Sequence, residues 1–179
     1  MQKKVEIPDG VEVTYDSGEF VVKGPKGELR RKLSSPHVKI EVKDSSVILT
    51  SVDERRKHKA LLGTFTAHLK NMIIGVTKGF RAKLKAVHSH FPMKLSVEGN
   101  KFVVQNFLGE RKPRTTEILG DVKVIINKDE IIVEGIDKEH VGQTCANLEH
   151  VTKIQRLDKR VFQDGIYIIE KPKPIEESE

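Results

Sequence analysis

The chain carries one pattern twice. Phe20-Val21-Val22 is followed by Gly27-Glu28, and Phe102-Val103-Val104, at an offset of 82, is followed by Gly109-Glu110. Further on the offset is 84: Val38-Lys39-Ile40 matches Val122-Lys123-Val124, and Val52-Asp53 matches Ile136-Asp137. That spacing exceeds the ~20–50 residues of a solenoid unit. It fits a small domain duplicated in tandem, and 179 residues accommodate two such domains near the low end of independent stability.

The hydrophobic period says what each copy is made of. Val11, Val13 and Tyr15 alternate, as do Val38, Ile40 and Val42 with Lys39, Glu41 and Lys43, the period of half-buried strands. Val47-Ile48-Leu49 follows Asp44-Ser45-Ser46, which predicts a hairpin. The period then changes: Leu61, Phe65, Leu69, Met72, Ile73 and Val76 form one stripe of a long helix, with Ser51 or Asp53 as its cap and Gly75 or Gly79 as its stop. In copy two, Phe80, Ala82, Leu84 and Ala86 alternate with Arg81, Lys83 and Lys85; Leu95 and Val97 lead to Gly99-Asn100; Val122, Val124 and Ile126 pair with Ile131-Ile132-Val133. A second helix runs from about Lys138 to Thr152, with Val141, Cys145, Leu148 and Val151 inward. Gly63 and Ala67 match Gly142 and Ala146 at an offset of 79, so the first helix is about five residues longer near its start. The fold class is α+β: two duplicated domains, each mainly antiparallel sheet packed with one helix. Their expected extents are 1–80 and 81–170, and Lys171-Pro172-Lys173-Pro174 with the acidic end gives a flexible tail over 171–179.

Charge suggests a partner. Net charge is +6, with 32% of residues charged and a pI near 9.3, which favours an anionic partner, nucleic acid before membrane. The basic residues recur in short clusters: Arg30-Arg31-Lys32, Arg55 to Lys59, Lys78 to Lys85 (with Lys83 and Lys85), Arg111-Lys112-Pro113-Arg114, and Lys153 to Arg160 (with Arg156 and Lys159). Clusters at strand ends and turns hold cations at fixed spacing, suited to phosphate oxygens. Each alone reads as a solvated face; together with the net charge they raise the nucleic-acid reading. Lys159 to Tyr167 then sets Asp164-Gly165 between apolar runs, as an ordinary hairpin turn or a Gly-bearing loop close to a sugar-phosphate chain.

Other chemistries find little support. A lone Cys145 excludes an internal disulfide and a multi-cysteine zinc site, and its place on the helix stripe makes it core. Gly24-Pro25-Lys26-Gly27 is too short for a phosphate loop. His88-Ser89-His90 could set two imidazoles on one strand face, half of a metal site, but no ligand stands at the right spacing beside it. No membrane-length apolar run is present, and the start of the chain lacks the apolar stretch of a signal peptide, so a soluble intracellular protein is expected. Two rivals stay open: a protein-interaction adaptor using exposed sheet edges, and a hydrolase whose mark would be His88 or His90 bonded to a buried carboxylate.

Three segments resemble the large-subunit ribosomal protein six family in its archaeal and eukaryotic form: His68 to Phe80, His90-Phe91-Pro92, and Arg160-Val161-Phe162-Gln163-Asp164-Gly165-Ile166-Tyr167. The duplicated plan is similar too, so the likeness spans nearly the whole chain. The resemblance implies two α+β domains and direct binding to large-subunit rRNA, mainly through the second. It implies a place near the sarcin-ricin loop and stalk base, where translational GTPases dock, beside neighbouring large-subunit ribosomal proteins. It implies no catalysis, no cofactor and a cytoplasmic ribosomal location. The family's C-terminal motif carries over as Arg160, Gln163, Asp164, Gly165 and Tyr167, and its domain-linking motif as Asn71, Lys78, Gly79 and His90. One feature runs against the charge argument: from Ala82 onward acidic and basic residues are equal in number. Contact with RNA depends on one face, and local clusters outweigh that sum.

Overall fold

The computed structural model describes residues 1–176 and divides into two compact units, Met1–Gly79 and Phe80–Ile175. The first contains β1 (Gln2–Glu6), β2 (Glu12–Asp16), β3 (Glu19–Gly24), β4 (Gly27–Lys32), β5 (Val38–Lys43), β6 (Ser46–Ser51) and α1 (Arg56–Thr77). They form two antiparallel sheets, ordered β1-β6-β5 and β2-β3-β4. Asp44-Ser45 makes the expected tight hairpin, with Val42 opposite Val47. Between the sheets and α1 lie Phe20, Val22, Val47, Leu49, Phe65, Leu69 and Val76, all buried.

The helix differs from expectation at its start and ends where expected. Leu62 is buried and Leu61 only partly so. Of two adjacent leucines, the one three residues before Phe65 and seven before Leu69 falls on the core stripe. Neither Ser51 nor Asp53 is the cap: the N-cap position is Arg55, without a side-chain bond to the helix. Asp53 instead accepts the Arg55 N–H at 3.1 Å and pairs with the His58 imidazole. At the far end Gly79 takes a positive φ of 77°, and the N–H groups of Lys78 and Gly79 both donate to Ile74 O, a glycine-terminated helix end. The Gly24–Gly27 turn closes over this end. Lys26 N–H donates to Val76 O at 2.9 Å, and Lys26 Nζ to Lys78 O at 2.5 Å. A Cβ on Gly24 would stand 2.7 Å from the Val76 side chain, so only glycine permits the approach.

The second unit repeats the order: β7 (Phe80–Val87), β8 (Lys94–Glu98), β9 (Lys101–Gln105), β10 (Arg114–Glu117), β11 (Lys123–Asn127), β12 (Glu130–Gly135) and α2 (Lys138–Val151). It then adds β13 (Gly165–Pro174), which has no counterpart among the described residues of the first unit. The sheets are β10-β9-β8 and β11-β12-β7-β13. Lys171–Pro174, expected in a tail, thus belong to a strand, because β7 offers an open edge for pairing; residues 177–179 lie outside the described residues. Val141, Cys145 and Leu148 of α2 are buried, while Val151 is only partly so. Burial pushes the Cys145 thiol up to about 11, which leaves it protonated and inert. Among the described residues no helix is long and apolar enough to cross a membrane.

Candidate nucleic-acid interface

Three connections of the second unit are joined by contacts. They are residues 88–93 between β7 and β8, 106–113 between β9 and β10, and 152–164 between α2 and β13. Asn106 Nδ2 donates to Pro92 O at 3.0 Å, and the Phe91 ring lies over Gly109, 3.6 Å from where its Cβ would be. Arg114, at the start of β10, donates through Nη1 to Val151 O (3.0 Å) and Lys153 O (3.1 Å), capping α2 and fixing the start of the third loop. Its remaining nitrogens grip Glu110 at 2.8 and 2.6 Å, and its guanidinium lies over the Phe107 ring. Those bonds hold the Glu110 carboxyl below its usual range.

The tightest link is Asp164. Its side chain is fully buried and accepts from Ser89 Oγ (3.0 Å) and His90 N–H (3.2 Å), and it meets His90 Nδ1 at 2.9 Å. Burial pushes its pKa up, but the bonds from His90 and Ser89 outweigh this and bring it down to about 2. Phe162 packs on the His90 ring with centroids 4.8 Å apart. Thr152 Oγ1 accepts from Ile166 N–H at 2.8 Å, and Tyr167 OH donates to Gln163 O at 2.9 Å. The expected hairpin at Asp164-Gly165 is therefore absent: Val161-Phe162 finds no partner strand, and the chain instead enters β13 along β7.

His90 bonded to a buried carboxylate is the mark set for a hydrolase, and Ser89 stands beside the pair, but the arrangement is not a relay. A relay sets the hydroxyl on one imidazole nitrogen and the carboxylate on the other. Here Ser89 Oγ donates to Asp164 itself, and the nitrogen nearest it, at 3.4 Å, is the same Nδ1 that Asp164 holds. The trio closes on itself and activates no hydroxyl. Nor do the histidines share a face: β7 ends at Val87, and His88 turns towards Asp129, 3.8 Å away. No group of three metal-ligating side chains occurs among the described residues.

The expected contact residues fall into three sets. Arg111, Lys112, Lys153, Arg156, Lys159, Arg160 and Gln163 are exposed on the joined loops, with His90 half-exposed at the clasp and Tyr167 44% exposed where β13 begins. Asp164, Gly165 and Arg114 are there too, but inward: Gly165 is buried against Thr152, and four of the five Arg114 donors already serve the protein. They shape the surface. Lys83 and Lys85 lie inside β7 rather than at a strand end, opposite Glu170 and Tyr167 of β13 and flanked by Ile132 and Glu130 of β12. Arg30-Arg31-Lys32, by contrast, forms the last three residues of β4, a strand end as expected. Asn71, half-buried, and Lys78, exposed, belong to α1 and its C-cap in the first unit. Ser89, as a partner of Asp164, left no trace in the sequence, because 75 positions separate the two.

Between α2 and the third loop lies a cleft of about 440 Å³, lined by His150, Lys153, Lys159, Phe162 and Tyr167 among others. It offers cations and aromatic rings at one opening.

Comparison with known proteins settles the lineage. The model of the family described as ribosomal protein L6 matches residues 7–79 and 91–165, one segment per unit. The chain belongs to that family. Proteins named large ribosomal subunit protein uL6 are similar along nearly their whole length. The one from Methanosarcina mazei is 51% identical over 169 residues, 94% of this chain and 96% of the relative. That from Methanothrix thermoacetophila is 50% identical with the same coverage, and that from Methanobrevibacter smithii 50% identical over 171 residues, 96% of each. The ribosomal protein L6 family is one of structural proteins, not enzymes. One matched segment per unit is consistent with the duplication of the α+β domain in this chain.

Proposed function

We infer that the chain is a structural constituent of the large ribosomal subunit, binding large-subunit rRNA through the joined loops of its second unit. The observation that carries this reading is that Arg114 and Asp164 tie three separate, cation-bearing connections together. Exposed Arg111, Lys112, Lys153, Arg156, Lys159 and Arg160 neutralise phosphates, while the internal bonds hold them at fixed spacing before RNA arrives. Pre-set spacing lowers the entropy lost on binding. Within the ribosome the place supported by the family likeness is near the sarcin-ricin loop and stalk base, where translational GTPases dock. Neighbouring ribosomal proteins are the further partners. Asn71 and Lys78 of the first unit, with Lys83 and Lys85 on β7, are secondary contacts.

Titrating the full chain against a refolded large-subunit rRNA fragment at several salt concentrations tests the mechanism. Affinity falls on a log-log slope of about −0.7 to −0.9 per phosphate neutralised. An affinity indifferent to salt removes the reading.

A further inference from the structure

We propose that the outer edge of β1 is a docking site for an extended segment of a neighbouring protein, with apolar side chains over Ile73 and Ile74 and an acidic one beside Lys4 and Lys70. The internal duplication carries the inference. Sheet β5-β6-β1 of the first unit matches β11-β12-β7 of the second, strand for strand. In the second unit the next position is filled by β13, antiparallel to β7 and packed on α2. In the first, no strand among the described residues pairs with the outer side of β1. The same fold thus shows both the empty position and the kind of segment that fills it.

The backbone is set for pairing. Met1 O accepts from Ser51 N–H and Ile7 N–H donates to Ser45 O, so odd-numbered residues face β6. Backbone groups alternate along a strand, which leaves the N–H and C=O of Gln2, Lys4 and Glu6 directed outward. Beside them runs a cleft of about 390 Å³ lined by Lys4, Val5, Glu6, Lys70, Ile73 and Ile74. The matched glycines mark the same place on the two helices. In the second unit Pro172 of β13 lies 3.7 Å from a Cβ built on Gly142, whereas on Gly63 the corresponding neighbour is Lys3 Nζ, also at 3.7 Å. A lysine side chain, free to swing out, stands where a docked strand would lie.

The chemistry of the edge selects among occupants. A second copy pairing antiparallel in the register centred on Lys4 sets the two Lys4 side chains directly opposite, and like charges so placed are destabilising. RNA supplies phosphate acceptors for the outward N–H groups, but its donors, the 2′-OH and base N–H groups, do not alternate with acceptors at the spacing of a strand backbone. An extended peptide satisfies both, and an acidic side chain on it answers Lys4 and Lys70. Lysines on an edge otherwise keep stray strands away, so the same residues select for a complementary one.

The inference uses the ribosomal reading only to say where the partner is found. Single-amide hydrogen exchange on the full chain compares three states: free, bound to large-subunit rRNA alone, and in assembled large subunits. In the subunit, exchange at Gln2, Lys4 and Glu6 slows by at least about tenfold over the rRNA-bound state. Lys4→Pro removes one outward N–H and no bond to β6, and it abolishes that slowing at Gln2 and Glu6. Lys4→Glu weakens it by charge alone, with the backbone intact. Both variants bind rRNA on the wild-type salt slope, which separates this proposal from the rRNA reading. Three results overturn it: unchanged exchange in the subunit, equal slowing with rRNA alone, or slowing in the free chain that grows with concentration, the sign of a second copy.

Discussion

The two units share a frame and differ in their connections. Phe20 and Phe102 occupy the same place, both fully buried, and the strand order up to the helix is identical. Yet β3 and β4 are joined by the two-residue Pro25-Lys26 turn, while β9 and β10 are separated by residues 106–113, which carry Arg111 and Lys112. The end of α1 is closed by that short turn and its lysine; the end of α2 is closed by an arginine that also ties down a loop. Duplication conserved what packs and freed what projects. A loop can grow without disturbing the core beneath it, since loop length alone costs little.

Four outcomes would break or sharpen that contrast. The largest concerns the shared core. Phe20→Ala and Phe102→Ala each cost about 3–5 kcal/mol, measured by denaturant unfolding, but Phe102→Ala lowers rRNA affinity far more, because the first unit supplies only secondary contacts. Equal loss of affinity in both variants would mean that the units do not divide the work.

Next comes the clasp. Asp164→Ala strands the Ser89 hydroxyl and the His90 N–H, a loss of about 2–3 kcal/mol for bonds to a charged acceptor. Amide exchange in 88–93 and 152–164 rises and rRNA affinity falls, although Asp164 itself is out of reach of RNA. Unaltered loop exchange would show that the three connections hold without it.

The third is an acid transition belonging to the second unit. Because the folded-state pKa of Asp164 is depressed to about 2, its contribution is present above the ordinary aspartate value and is lost as pH falls through the folded one. Stability should therefore drop by about 2 kcal/mol between roughly pH 4 and 2. Asp164→Asn should lack that part of the pH dependence. In the first unit the Asp53 carboxyl is also lowered, chiefly by its bond to His58, but it is exposed to solvent and adds little.

The smallest effect on stability is the most telling for function. Lys159→Ala and Arg160→Ala lie on an exposed loop and should alter unfolding by no more than about 0.5 kcal/mol. Each should nonetheless lower rRNA affinity and reduce the salt slope by about 0.7–0.9. Wild-type binding by both would move the interface elsewhere.

Read without a structure, the residues already held the duplication, the hairpins and both helices. These depend on local period and turn chemistry, which a neighbour in space does not alter: Val42 opposite Val47 follows from Asp44-Ser45, and the stop at Gly79 from a glycine where the helix must end. The basic clusters were equally plain as residues, but their roles were not. Arg111 and Arg114 look alike in sequence, and only folding shows one exposed and the other turned inward to α2. Ser89, His90 and Asp164 meet across more than seventy positions, and β13 finds β7 from the far end of the second unit. Contacts of that range are chosen by which edges and buried acceptors remain unsatisfied once the core has formed. Pattern along the chain does not encode them; packing in three dimensions does.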